Sequence, residues 1–220
     1  MLAAGLMLVG GALGSAQAAS GAHRPTGVVH SQVRANPASV AGTLHDQNSD
    51  DNGIGISSQN FESAFDAYDD QGADDFKIGL GHIWKIKVVN VTGVYYNGSG
   101  PAVSENVTIY KNSGGFPGAV MASQTITGLD TGGSFSITLA PAVTLNSGKY
   151  WISVQANMDF NVGGQWGWET RNTQYRLGAE WQNPGDGFST GCTTYTNLLT
   201  CIPSGEGPDF MYSLVGKKIA

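Results

Sequence analysis

From Phe76 onward the chain alternates apolar and polar residues in short runs, each closed by a turn rich in glycine. His82-Ile83-Trp84-Lys85-Ile86-Lys87-Val88 alternates over its first residues and continues through Val89, Val91 and Val94 to Tyr95-Tyr96. There Asn97-Gly98 and Ser99-Gly100-Pro101 turn the chain. Residues 106–111 form a second run, stopped by Asn112-Ser113-Gly114-Gly115. Residues 120–127, 134–139, 150–156, 165–170, 175–182 and 210–215 follow in the same style. Alternation of period two sends successive side chains to opposite faces, which is how a half-buried strand reads. About eight such strands at close spacing predict an all-β fold, a two-sheet β-sandwich with jelly-roll-like topology, over residues 54–216. No extended period of 3.6 residues competes with it. Residues 62–70 predict one helical turn at most.

Ahead of the strands the pattern changes twice. Residues 2–13 are an uncharged apolar run, and Ala16-Gln17-Ala18 supplies a small-x-small triplet behind it. This predicts a secretory signal over residues 1–18, cut before Ala19, although no Lys or Arg precedes the run. The run is too short to span a bilayer. Residues 19–53 are polar with no hydrophobic period and predict a disordered linker. His23, His30 and His45 fall in it without metal-ligand spacing. Residues 217–220 read as a C-terminal tail with no membrane segment after it.

Composition narrows the function classes. The 220 residues include 32 glycines, only 13% are charged, and the net charge is −6. A nucleic-acid binder needs a basic face for phosphates, so no nucleic acid is expected as a partner. Low charge with many glycines and aromatics also excludes a helical bundle.

Among candidate chemistry, residues 62–76 stand out. Asp66, Asp69, Asp70, Asp74 and Asp75 crowd there with no basic residue before Lys77. Calcium, a hard cation taken by oxygen ligands in irregular loops, is the cofactor such crowding suggests. The competing reading, which weighs more, is that aspartates cap turns and bind nearby amides. An EF-hand-like string at Asn48, Asp50, Asn52 and Gly53 has Gln59 where a bidentate Glu is required, and is rejected.

Three tryptophans form the second candidate. Trp166 and Trp168 alternate onto one sheet face and Trp181 follows in a similar polar setting. Exposed, they would make a ligand-binding platform for stacking on sugar rings; the commoner fate of large aromatics is the core. Cys192 and Cys201 in an exported chain predict a disulfide across a short loop.

Catalytic sets are incomplete. Gly187-Phe188-Ser189-Thr190-Gly191 matches a nucleophile elbow, but no helical pattern and no histidine follow it. His82 is the one histidine in residues 54–216. Glu62, Glu105, Glu169, Glu180 and Glu206 show no paired, strand-spaced arrangement for a glycosidase.

Several segments together resemble a β-sandwich module that recurs in secreted or cell-surface bacterial proteins. They are Ala73-Asp74-Asp75-Phe76, Val91-Thr92-Gly93-Val94-Tyr95, Ile109-Tyr110-Lys111 with Gly114-Gly115-Phe116-Pro117-Gly118, Ser147-Gly148-Lys149-Tyr150-Trp151, Gly164-Gln165-Trp166-Gly167-Trp168 and Trp181-Gln182-Asn183-Pro184-Gly185. The resemblance implies export and a sandwich, and carries over no catalytic residue. The expectation is a secreted, non-catalytic protein acting in extracellular binding, adhesion or surface structure, with glycans or cell-surface proteins as partners. A carbohydrate-binding module using the tryptophans and a carboxylate-dependent glycoside hydrolase are the alternatives.

Overall fold

The computed structural model of the chain describes residues 24–34, 42–127, 132–205 and 207–220. The expected signal segment, residues 1–18, lies outside the described residues. Strands β1 (Val28–His30), β2 (Thr43–Asp46), β3 (Asp51–Ser57) and β4 (Gln59–Asn60) precede a 3-10 helix, Ser63–Tyr68. Then come β5 (Gln71–Ile78), β6 (Trp84–Val91), β7 (Gly93–Tyr96), β8 (Ser104–Ser113), β9 (Phe116–Thr127), β10 (Phe135–Leu145) and β11 (Gly148–Asn157). After helix α1 (Phe160–Gly163) follow β12 (Gln165–Arg171), β13 (Glu180–Gln182), β14 (Thr196–Asn197), helix α2 (Leu198–Cys201), β15 (Asp209–Phe210) and β16 (Tyr212–Lys218).

The large sheet runs β14-β13-β5-β11-β8-β9, with β4 pairing parallel to β11. A second sheet, β1-β3-β12-β15 with β7 on β12, meets a third, β10-β6-β16-β2. These last two are halves of one bent layer. β6 passes into β7 at Thr92, and β15 passes into β16 at Met211, each strand switching sheet at a corner. Thr92 N donates to Met211 O (3.2 Å) and Glu169 N donates to Thr92 O (2.9 Å), so the ladder is not lost at the bend. Gly93 sits at that corner because a Cβ there would collide with the Trp166 indole. Between the bent layer and the large sheet lies one apolar core, including Phe76, Ile152 and Val154 from one side and Ile56, Ile86 and Leu214 from the other.

The fold is all-β, as the alternation predicts, but with more strands than the expected eight. The chain also departs from the expected boundaries. Within the expected linker, residues 24–34 and 42–53 carry β1, β2 and the start of β3. β1 and β2 are short strands at sheet edges, and β3 enters the sheet between β1 and β12 from a polar start, so none of the three leaves a hydrophobic period to read in residues 24–53. Thr26 is further tied down by Gln165, whose Oε1 accepts from Thr26 N (2.8 Å) and whose Nε2 donates to Thr26 O (2.9 Å). At the other end β16 extends to Lys218, into the expected tail. Sequence reasoning also overlooked most of β5, because two buried aspartates interrupt its apolar face.

Candidate functional site

The five aspartates that suggest calcium do not converge. Asp66 is exposed on the 3-10 helix. Asp69 Oδ1 accepts from Phe61 N (2.7 Å) and Asp70 Oδ1 from Gln59 N (2.6 Å). Asp74 Oδ2 accepts from Gln47 Nε2 (2.6 Å) and Phe210 N (2.7 Å), while its Oδ1 accepts from Asp75 N (2.7 Å). Asp75 accepts from Leu177 N (3.1 Å) and pairs with Arg176 (3.3 Å). Among the described residues no group of three or more His, Cys, Asp or Glu is disposed to hold a metal. Several of their oxygens are engaged by backbone amides and side-chain donors, though Asp70 Oδ2 is buried with no partner among the described residues. The aspartates therefore do not form the shared calcium site that their crowding suggests.

Asp74 is instead the centre of a closed polar knot that sequence reasoning missed. His45, assigned to a linker, packs its ring against Tyr175 (4.9 Å) and Tyr212 (5.2 Å) and meets Gln47 Oε1 at 3.0 Å. Asp209 accepts from the Tyr175 amide, and the Tyr212 hydroxyl donates to Asp75 O (2.9 Å). Burial raises the Asp209 carboxyl to about 7; the Asp75 charge adds to the rise, and the Tyr175 amide and Arg171 oppose it. Burial, with the Asp209 charge, pushes Asp74 well above the usual carboxylate range. Asp74 and Asp209 are wholly buried and Asp75 is 1% exposed. A general acid or base must reach a proton on substrate. These carboxyls reach only β2, β5, β15 and the loop before β13, so the knot ties strands together.

Trp166, Trp168 and Trp181 are each 0% exposed, which overturns the stacking platform. Trp166 and Trp168 do share a face, but it is the inner one, where they stack with Phe135 (5.1 Å) and Phe210 (4.5 Å) respectively. Each indole N–H is satisfied inside: Trp166 on Gly133 O (2.6 Å), Trp168 on Met211 O (2.9 Å) and Trp181 on Ser57 O (2.9 Å). Such rings fill a core at low polar cost. Ser189 lies in an irregular turn and the next helix, α2, begins only at Leu198, so the strand–turn–helix of a nucleophile elbow is not formed there.

What the sheet presents to solvent is a different set. On β8 and β11 the core takes Val107, Ile109, Ile152, Val154 and Ala156. Alternation then puts Asn106, Thr108, Tyr110, Gln155 and Asn157 on the opposite face. Asn106 Nδ2 donates to Gln155 Oε1 (3.1 Å) and Asn157 Oδ1 (2.9 Å), and Asn106 Oδ1 accepts from Thr125 Oγ1 (2.7 Å). Asn157 Nδ2 donates to Ser104 Oγ (2.9 Å), and Thr108 meets Ser123 at 3.2 Å. At the other end Gln182 Nε2 donates to Gln71 Oε1 (2.9 Å).

Between these ends stands an aromatic pair, Tyr110 and Tyr195, with ring centroids 5.8 Å apart and edge to face. Tyr195 belongs to the loop closed by the Cys192–Cys201 disulfide, formed as expected with Cα atoms 5.9 Å apart. The bridge thus fixes an aromatic side chain over the sheet. Glu180, next to inward-facing Trp181, also faces outward; burial raises its carboxyl to about 7, and its Oε2 has no hydrogen-bond partner among the described residues. From β9 to β13 the outer face thus carries a band of amides, hydroxyls and two tyrosines, many of them joined by mutual hydrogen bonds, together with Glu180 and the buried Trp151, whose indole N–H donates to Asn112 Oδ1 (3.0 Å).

No family model matches the chain, and no curated protein matches its sequence. Among solved structures it is similar to the cysteine protease and lectin-like domains of Cwp84, a surface layer associated protein of Clostridium difficile. The two share 15% identity with a TM-score of 0.46, over 74% of this chain and 33% of that one. The chain thus spans about a third of the length of that structure. No helix among the described residues is long and apolar enough to cross a membrane.

Proposed function

We propose that this chain is an extracellular, non-catalytic binding module whose outer sheet face takes a neutral glycan. The observation that carries the reading is the set of amide, hydroxyl and tyrosine side chains on the outer face, Asn106, Tyr110, Asn157, Gln182 and Tyr195 among them, neutral themselves and already bonded or packed to one another, with Glu180 the carboxyl beside them. Sugars offer many hydroxyls and few charges, so amide and hydroxyl side chains match them as both donors and acceptors. Side chains already held by their neighbours lose little freedom on binding. Tyr110 and Tyr195 supply apolar surface with a polar tip, which suits a sugar ring. Export is supported by the apolar leader with its Ala16-Gln17-Ala18 triplet and by the disulfide.

A glycan array, followed by calorimetric titration of the best ligand, tests this. Asn106→Ala and Tyr110→Ala are expected to weaken binding at least about tenfold, as loss of a buried polar or aromatic contact does. An array with no enriched glycan, or unaltered affinity in both variants, overturns the reading.

A further inference from the structure

A groove of about 640 Å³ opens on the outer face of the other layer, lined by Lys85, Lys87 and Lys217 over Val88, Val215 and Pro141. Its construction is unusual. Along β10, the four residues between Thr138 and Val143 stand opposite the single residue Lys87 of β6. On the other side Val215 and Gly216 of β16 pair with Val88 and Ile86, so Lys87 is again left without a register partner. A bulge on both flanks re-aims one side chain, a device found beside functional sites. Gly216 is required where β16 closes on β6, because a Cβ there would collide with the Lys85 carbonyl oxygen.

The charge distribution is equally particular. β6, β10 and β16 carry four lysines and no aspartate or glutamate, in a chain of net charge −6. Lys85 and Lys217 lie directly opposite each other in register. Like charges at such a position repel and destabilise the pair. Lysines often protect sheet edges from pairing, but β6 is paired on both sides, so that need does not explain Lys85 or Lys87. The one ion pair among the described residues is elsewhere, at Arg176 and Asp75.

We propose that this groove is a binding site for an acidic polysaccharide, separate from the neutral band of the large sheet. Carboxylates spaced along such a chain meet Lys85, Lys87 and Lys217 and remove their mutual repulsion. The C–H faces of the sugar rings lie on Val88, Val215 and Pro141. A duplex or a lipid surface is a poorer occupant, since each extends well past the groove and meets the net negative charge of the whole molecule.

The test uses a short oligogalacturonate titrated into the full chain at low and high salt. Neutral dextran, poly-glutamate, single-stranded DNA and vesicles containing phosphatidylglycerol are run beside it. Oligogalacturonate is expected to bind more tightly than any of these, and binding to weaken as salt rises. The triple variant Lys85→Gln, Lys87→Gln, Lys217→Gln is expected to lose at least about tenfold in affinity. Lys111→Gln, outside the groove, leaves affinity unchanged. Ala140→Glu at the exposed wall weakens binding while retaining every lysine. The proposal falls if oligogalacturonate does not bind, if Lys111→Gln costs as much as the triple variant, or if poly-glutamate, DNA or vesicles bind as well. Titration of a neutral glycan into the triple variant keeps this result distinct from that of the outer band.

Discussion

Two polar regions of this protein invite comparison: the carboxyl knot around Asp74 and the amide–hydroxyl band on the outer face of the same large sheet. The knot is rich in carboxyls, and its Asp74-Asp75 pair is conspicuous in sequence, yet Asp74 and Asp209 have no exposure. The band is mostly neutral and inconspicuous, yet Asn106, Tyr110 and Asn157 retain access to solvent. Carboxyls buried beside backbone amides serve cohesion, because they accept from those amides and their removal leaves donors stranded. Neutral polar groups bonded to one another at a surface stay within reach of a ligand: Asn106 has its amide fully engaged, while Asn157 Oδ1 accepts only from Asn106 among the described residues. Conspicuous residues and available residues are thus different sets here.

The strongest way to break the contrast is Asp74→Ala. It strands the Phe210 and Asp75 amides in the interior, leaves Gln47 Nε2 only its bond to Phe210 O, and is expected to cost roughly 2–4 kcal/mol, read as a lower denaturant midpoint. A loss below that of a surface substitution would mean the knot is not structural. Removing the disulfide with Cys192→Ser and Cys201→Ser is expected to cost about 2–4 kcal/mol at most. Because it frees Tyr195, it should also weaken binding at the band, where Asp74→Ala measured below its melting point should not.

Acidity sharpens the comparison next. Asp209, Glu169 and Glu180 are each raised to about 7 by burial, and Asp74 and Asp70 are raised as well. Around Asp209 stand Arg171 and Asp75; around Glu169 stand Ser31, Asp51 and Arg34. The folded chain therefore holds protons that the unfolded chain, with carboxyls near 4, releases earlier. Stability falls as pH rises from about 4 through about 7, the folded values of Asp209, Glu169 and Glu180, and Asp74 and Asp70 act in the same direction. His45, lowered by burial, acts in the opposite sense below about 6.5, but one imidazole faces five carboxyls. Thermal melting between pH 5 and pH 8 should show a lower Tm at the alkaline end; a flat or rising profile contradicts the assigned burial.

Smaller still is Thr108→Ala on the band, expected to cost under about 1 kcal/mol, measured by chemical denaturation. Last, EDTA should leave Tm unchanged, since the aspartates do not converge on a common point where a cation could sit. A drop on chelation would reopen the aspartates as ligands.

The alternating runs disclosed most of the central strands, because a half-buried strand must repeat every two residues. β1 and β2 were illegible: they are short edge strands whose contribution is mainly backbone pairing, whereas β3, interior between β1 and β12, shows its core residues Ile54 and Ile56 only after the polar stretch in which it starts. His45 and Asp209 could not be associated by reading, being 164 positions apart in sequence order. A weak sign of the knot did exist in Asp74-Asp75 ahead of Phe76, acids set inside an otherwise apolar run. The band left fainter signs still, since Asn, Gln, Thr and Ser are also ordinary surface residues.

By itself, the order of residues determined the all-β class and the disulfide partners, since each depends on local period or on which side chains exist. Tertiary structure alone decided that the tryptophans point inward, that the aspartates bind amides, and that lysines from β6 and β16 share a groove. Those outcomes depend on which face of each strand meets the opposing layer and on register between strands remote in sequence, and neither is encoded in any one segment.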